Sequence, residues 1–279
     1  MPIVTISRGF PAGCQAVAEA VAASLGSPCV GREILLQAAA KLGVSEDLLS
    51  RRIEHTPSLW DRLTLERRDY VVGLQAALAE HVVNGNLVYH SYAGHILLKE
   101  LPGVLRVRIV APLETRIREA MQSESLSRHL AEDSVRRYDE ERGRWTRTIY
   151  GVDWSDPSLY DVVLNLEQLS ATEASECIVR LARQPAFAIT DDLRARLQDF
   201  LLATRVRLAL ARSPATRGLA LEVTARDGQV RVGRVTLEVS MPGTLPEHFR
   251  AEVTSVIKAV EGVREVEVTA DGRTIFPVT

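Results

Sequence analysis

Apolar positions along this chain follow two rhythms. Short apolar runs at 3–7, 86–91, 104–110 and 161–165 have the length and β-branched content of buried strands. Between them, over 16–25, 34–42 and 59–83, apolar residues recur at three- and four-residue spacing, the stripe by which a helix packs on a core. Gly26, Gly43 and Gly85 stand where such helices would stop, because glycine adopts the left-handed conformation that closes a last turn. The alternation predicts an α/β unit with a parallel sheet flanked by helices. From about 114 to 150 charges of both signs interleave, which predicts a helical, solvent-facing excursion before Gly151-Val152-Asp153-Trp154-Ser155-Asp156-Pro157.

Gln184-Pro185 interrupts a helix that begins near Ser170, and Thr190-Asp191 has the character of a cap for the next one. The pattern therefore divides the chain into 1–185 and 190–279. The second part reads as a helix over 191–211, a strand over 219–224, an Asp227-Gly228 hairpin, a strand over 229–240, a helix over 245–260 and a strand over 263–269. Its order is α-β-β-α-β. In the second of these strands Val230 and Val232 are followed by Val235, Leu237 and Val239, so the alternation slips at Gly233-Arg234 and predicts a bulge or a break.

With 279 residues, 46% of them hydrophobic, the chain can bury one or two ordinary cores. A formal charge of -2 argues against a chain-wide basic surface and a nucleic-acid partner. The start, Met1-Pro2 running into strand-like Ile3-Val4-Thr5-Ile6, is unlike a signal peptide, and no apolar run is long enough to span a bilayer. The expectation is a cytoplasmic protein. Cys14, Cys29 and Cys177 are too scattered for a disulfide framework or a C-x-x-C metal site. His90 and His95 lack the i, i+4 spacing of a helical zinc site, so no metal site is expected. Trp60, Trp145 and Trp154 are too dispersed for a base-stacking platform and read as packing or anchoring residues. Because Lys41, Lys99 and Lys258 are the only lysines, phosphate chemistry here would rest on arginine.

Residues 4–16, VTISRGFPAGCQA, form a strand, a Gly/Pro turn and a helix start, the geometry in which backbone N–H groups and the helix dipole converge on an anion. Against G-x-x-x-x-G-K-[ST] only Gly13 is in register; Arg8 stands at the first glycine, Cys14 at the lysine and Gln15 at the Ser/Thr. A plain βα turn explains the segment equally well. As a phosphate cradle it would use Arg8, Gly9, Gly13, Cys14 and Gln15.

Three blocks in order, Val4-Thr5-Ile6-Ser7-Arg8, then 97–116 (LLKELPGVLRVRIVAPLETR), then 150–165 (YGVDWSDPSLYDVVLN), resemble the cytidylate kinase-like family over about residues 2–183. The resemblance implies a nucleoside-monophosphate-kinase fold, ATP and Mg²⁺ as cofactors, a nucleotide as ligand, and an Arg-bearing lid in the charged excursion. Arg116, Arg136, Arg137, Arg144 and Arg147 would supply its guanidinium groups, although the interleaved acids also suit an ordinary solvated face. Arg32, following Gly31, lies where the family meets its acceptor nucleotide. Two departures stand out. Pro11-Ala12-Gly13-Cys14 replaces the family's G-S-G-G, and His90-Ser91-Tyr92 replaces a Gly-Arg motif implicated in the nucleotide reaction. Losing cations that face a migrating phosphoryl group weakens transfer more than binding.

Residues 193–270, with Asp227-Gly228-Gln229-Val230 and Gly262-Val263-Arg264-Glu265-Val266, resemble a BON domain, which implies a small ligand or protein partner for that part. Three function classes follow: a nucleotide kinase, a catalytically silent nucleotide-sensing regulator (a pseudokinase), and an interaction protein that binds no nucleotide.

Overall fold

A computed structural model of the protein describes residues 2–8, 13–45, 66–91, 93–216, 221–234 and 247–269. Its first sheet joins β1 (Ile3–Arg8), β2 (Cys29–Val30), β3 (Leu87–Tyr89), β4 (Val104–Val110) and β5 (Val162–Asn165) in the order β2-β3-β1-β4-β5. Every neighbouring pair in it is parallel. Parallel strands need crossovers, supplied by α1 (Gly13–Leu25), α2 (Glu33–Leu42), α3 (Glu66–Val82), α4 (Gly94–Leu97), α5 (Leu113–Glu124) and α6 (Arg128–Tyr150). After β5 come α7 (Ala171–Ala182) and α8 (Asp191–Arg212).

The helix ends follow local chemistry. Gly43 closes α2 at φ 69°. Ser170 and Glu173 form a reciprocal capping box on α7, and Thr190 Oγ1 accepts from Leu193 N at the start of α8. The intervening Pro185–Phe187 turn separates α7 from α8, as the Gln184-Pro185 break predicts.

Strand alternation sends residues to two faces. Val4, Ile6, Val88, Leu105, Val107, Ile109 and Leu164 join one core with Val17, Ala18 and Val21 of α1 and Ala174 and Ile178 of α7. Ile3, Leu87, Tyr89 and Val104 join the other with residues of α2 and α3, Trp145 of α6, and Leu193, Leu197, Phe200 and Leu201 of α8. On this second face Thr5 lies beside Arg106 and Ser7 beside Arg108, so apolar residues give way to polar ones toward the carboxyl ends of β1 and β4.

A second sheet joins β6 (Leu221–Arg226), β7 (Gln229–Arg234) and β8 (Glu265–Val268), antiparallel and then parallel, with α9 (Glu247–Lys258) between β7 and β8. Asp227 and Gly228, at φ 49° and 81°, make the hairpin turn whose two left-handed residues match the strand twist. Leu202, Val206 and Leu210 of α8 pack under this sheet with Val223, Val230, Val232, Val253, Ile257 and Val268. One helix thus enters two cores, its first half in the larger and its second half in the smaller.

Some sequence expectations change. The two-residue β2 carries too little pattern to be read in advance. The charged excursion is a helix pair, α5 and α6, with a small core of Ile117, Ala120, Ala131 and Val135. The β6–β7 ladder runs in unbroken register from Arg226 opposite Gln229 to Leu221 opposite Arg234, so no bulge occurs up to Arg234. The rest of the slip, 235–240, lies outside the described residues, as does 59–65 of the third expected helix. Among the described residues no helix is long and apolar enough to cross a membrane.

Candidate functional site

The sequence-derived candidates scatter. Arg8 ends β1 and Gly13 opens α1, while Gly9 of the intervening turn and Tyr92 after β3 lie outside the described residues. Cys14 is 7% exposed within the α1 core, so its side chain packs inward. Gln15 is exposed and its Nε2 donates to Glu19 Oε1 at 2.9 Å. Arg32 sits exposed at the start of α2 without a side-chain capping bond. Ser91 is buried. The His90 ring lies against Gly31, its Nε2 2.8 Å from where a Cβ would stand.

Most of the expected lid arginines hold acids of their own. Arg116 grips Asp139 with two hydrogen bonds of 2.8 and 2.7 Å, tying α5 to α6. Arg136 binds Glu132 at 2.8 Å and Arg144 lies 3.7 Å from Glu140, both one turn apart on the exposed side of α6. Arg147 binds Asp153 at 3.1 Å, and Arg137 is exposed. Two Ser155 hydrogen bonds, backbone then hydroxyl, and Arg147 hold the Asp153 carboxyl at about 2. This outer face has the character of the solvated alternative.

A different set converges beneath it. On α6, Tyr138, Arg142, Trp145 and Ile149 recur at four- and three-residue spacing and form a partly or fully buried stripe. Arg142 Nη1 donates to Tyr138 Oη at 2.9 Å and its Nη2 lies 3.5 Å from Ser7 Oγ. Opposite, Arg108 of β4 donates from Nη1 to the Ser155 carbonyl at 2.6 Å. Both guanidiniums lie against the Trp154 ring, 4.5 Å for Arg108 and 5.2 Å for Arg142, within the range of cation–π attraction. Tyr160 Oη donates to the Trp154 carbonyl at 2.8 Å and lies 3.4 Å from Ser7 Oγ.

His95 of α4 completes the group, its ring 4.6 Å from that of Tyr160. It is 4% exposed, and neither ring nitrogen has a hydrogen-bond partner. Burial first, and then Arg142, Arg106 and Arg108, push its pKa down to about 3, so the imidazole is neutral at ordinary pH. Burial also lowers the pKa of Arg108. Nε of Arg106 and of Arg108 and Oγ1 of Thr5 are likewise buried without partners. Cationic donors of this kind on neighbouring positions of β1 and β4 suit an anionic, hydrogen-bond-accepting ligand.

Sequence reading passed over Arg106, Arg108, Arg142, Tyr160 and His95 as site residues. A signal existed: Arg106 and Arg108 occupy alternate positions of a strand otherwise reading Val-Leu-Val-Ile-Val, where both faces of a central parallel strand should be apolar.

Comparison with known proteins finds relatives for the larger, first part of the chain. The sequence pattern of the cytidylate kinase-like family matches residues 3–168. A cytidylate kinase of Methanothermobacter thermautotrophicus is 28% identical over 178 residues, covering 62% of this chain and 99% of the relative. One from Pyrobaculum aerophilum is 26% identical over 181 residues, 62% of this chain and 89% of the relative. Among solved structures, an uncharacterized protein from Eubacterium ventriosum aligns with a TM-score of 0.51 at 17% identity, over 64% of this chain and 97% of its own, a likeness of fold alone. The match runs from β1 past β5 and takes in Arg106, Arg108, Arg142, Trp154 and Tyr160, and on it the chain belongs to the cytidylate kinase-like family.

Proposed function

We propose that the protein is an ATP-dependent nucleoside-monophosphate kinase whose phosphates are held at the carboxyl ends of β1 and β4. The observation that carries the reading is the approach of Arg108 and Arg142 to the Trp154 ring, Arg142 also beside Ser7, with buried guanidinium donors left unpartnered on β4. Two guanidinium forks and a hydroxyl fit phosphate oxygens in number and charge. Gly13, at the amino end of α1, adds backbone N–H groups and the positive end of the helix dipole.

In this reading a phosphate oxygen of the acceptor monophosphate attacks the γ-phosphorus of ATP, the bond to the β-phosphate oxygen breaks, and the products are a nucleoside diphosphate and ADP. When bound, ATP would supply the transferable phosphoryl group and Mg²⁺ would neutralise its oxygens. Arg142, on α6, and Arg108, on the sheet, stabilise the charge shared between the two nucleotides. In this reading Mg²⁺ would be carried by the nucleotide phosphates.

A silent nucleotide-sensing role is the second reading, favoured by the inward-packed Cys14, by Gln15 bound to Glu19, and by the His90 ring at Gly31. In either case the small second sheet is the part proposed to take a BON-like ligand or protein partner.

Thermal unfolding with each nucleoside monophosphate and ATP, with and without Mg²⁺, separates the readings. A ligand at about a hundred times its dissociation constant adds roughly 2.7 kcal/mol to stability. A Mg²⁺-dependent shift with ATP and one monophosphate, followed by ADP formation, supports the kinase. Shifts without turnover support the sensor, and no shift with any nucleotide defeats both.

A further inference from the structure

α4 is a helix that should not stand alone. It has four residues, Gly94–Leu97, far fewer than an isolated helix needs. Its preceding residue, Ala93, is in the left-handed region at φ 46° and provides no side-chain cap. Yet α4 carries His95 against Tyr160 and directly follows the 90–92 segment. Something outside α4 must hold it.

Two described contacts do so at its carboxyl end, and both lead to one residue of the C-terminal part. Gln75 Nε2 on α3 donates to the Leu97 carbonyl at 2.9 Å, and the other end of the same amide, Oε1, accepts from Arg207 Nη1 at 3.0 Å. Arg207 Nη2 also binds Glu100, just beyond α4, at 3.2 Å, and donates to the Val223 carbonyl of β6 at 2.8 Å. Only 16% of the Arg207 side chain is exposed. The guanidinium fork therefore fixes the orientation of the Gln75 amide, which needs its NH₂ toward Leu97, while anchoring itself to the second sheet.

We infer that Arg207 is a positioning residue for the nucleotide site: through Gln75 and Glu100 it sets α4, and with it His95, so the second sheet helps to shape a site on the first. The inference rests on the nucleotide-binding reading above, and it places a site determinant beyond residue 168, where the family pattern ends.

The test uses the full-length chain and three variants: Arg207→Met, Gln75→Met and Val206→Ala. Val206 is fully buried in the smaller core on the same helix and makes none of these bonds, so it reports stability loss alone. Hydrogen exchange is read at the Leu97 and Leu98 amides, which bond to the Ala93 and Gly94 carbonyls, and affinity for cytidine monophosphate is read by titration with Mg-ATP present. Arg207→Met and Gln75→Met should each speed exchange at these amides and weaken nucleotide binding by about three- to tenfold, the scale of one lost hydrogen bond, with the double variant no worse than the stronger single. Val206→Ala should lower the melting temperature and leave both readouts unchanged. If Arg207→Met behaves like Val206→Ala, Arg207 is only a staple and the inference fails. If the wild-type chain binds no nucleotide, the kinase and sensor readings fall, and the exchange rates still decide whether Arg207 sets α4.

Discussion

The imidazole of His90 occupies the space that a side chain on Gly31 would need, with Nε2 2.8 Å and Cε1 2.9 Å from the position of a Cβ. Each residue looks isolated in sequence, Gly31 beside the candidate Arg32 and His90 at the start of the segment that replaces the Gly-Arg motif. In space they are complementary. Gly31→Ala should therefore destabilise the fold by about 1–3 kcal/mol through overpacking, and His90→Ala in the same chain should restore much of it. Denaturant unfolding of the two single variants and the double variant measures the coupling; additive losses would dissociate the pair.

Arg142→Met keeps the length of the side chain and its contact with Trp154 while removing the fork. Loss of one charge-assisted contact to phosphate corresponds to about 1.5–3 kcal/mol, or roughly ten- to a hundredfold in nucleotide affinity. Isothermal titration should show this for Arg142→Met and for Arg108→Met. Exposed Arg144→Met, whose acid partner lies one turn away, should change affinity far less.

His95 gives stability a specific pH dependence. Its folded pKa is depressed to about 3 against an ordinary 6.5, so as pH falls below 6.5 the unfolded chain takes up a proton that the folded chain refuses. The folded state then loses up to about 1.4 kcal/mol per pH unit from this group until pH nears the folded value. Comparing the urea midpoints of wild type and His95→Phe between pH 7 and 4 isolates the effect. The acid limb of the variant should be flatter; parallel limbs would mean that His95 is charged in the fold or exposed.

Arg116 and Asp139 make a two-pronged bridge between α5 and α6 with the guanidinium largely buried, whereas the Arg128–Glu114 pair joining the same helices is exposed. Asp139→Ala leaves that cation without its partner and should cost about 2–4 kcal/mol. Limited proteolysis should then cut the 113–150 segment sooner than in wild type. An unchanged melting temperature and cleavage pattern would reduce the bridge to a surface ion pair.

Much of the fold is written in local pattern, and much of the site is not. β1, β4 and β5 read directly from apolar runs, and the Asp227-Gly228 turn and the Ser170 cap from single residues whose chemistry suits one geometry. The expected lid arginines are visible because charge is visible, and four of the five pair with nearby acids, Arg136 and Arg144 with ones a single turn away. Arg142 differs from Arg144 and Arg147 only in the face of α6 it occupies, which becomes meaningful once Tyr138, Trp145 and Ile149 are seen to share it. Arg108 meets Ser7 through strand register, and Arg207 meets Gln75 across 132 residues of chain. No short-range pattern encodes such pairings.

Leu193, Leu197, Phe200 and Leu201 belong to the larger core although they follow the Gln184-Pro185 break. The first unit is therefore unfinished when its last strand leaves the ribosome. Its apolar surface on α3 stays open until synthesis has passed Leu201, and the helix that closes it goes on to pack under the sheet still to come. The two units are successive in the gene but share a helix, so an early stop anywhere between β5 and the middle of α8 would yield a chain with its core exposed rather than a smaller complete fold.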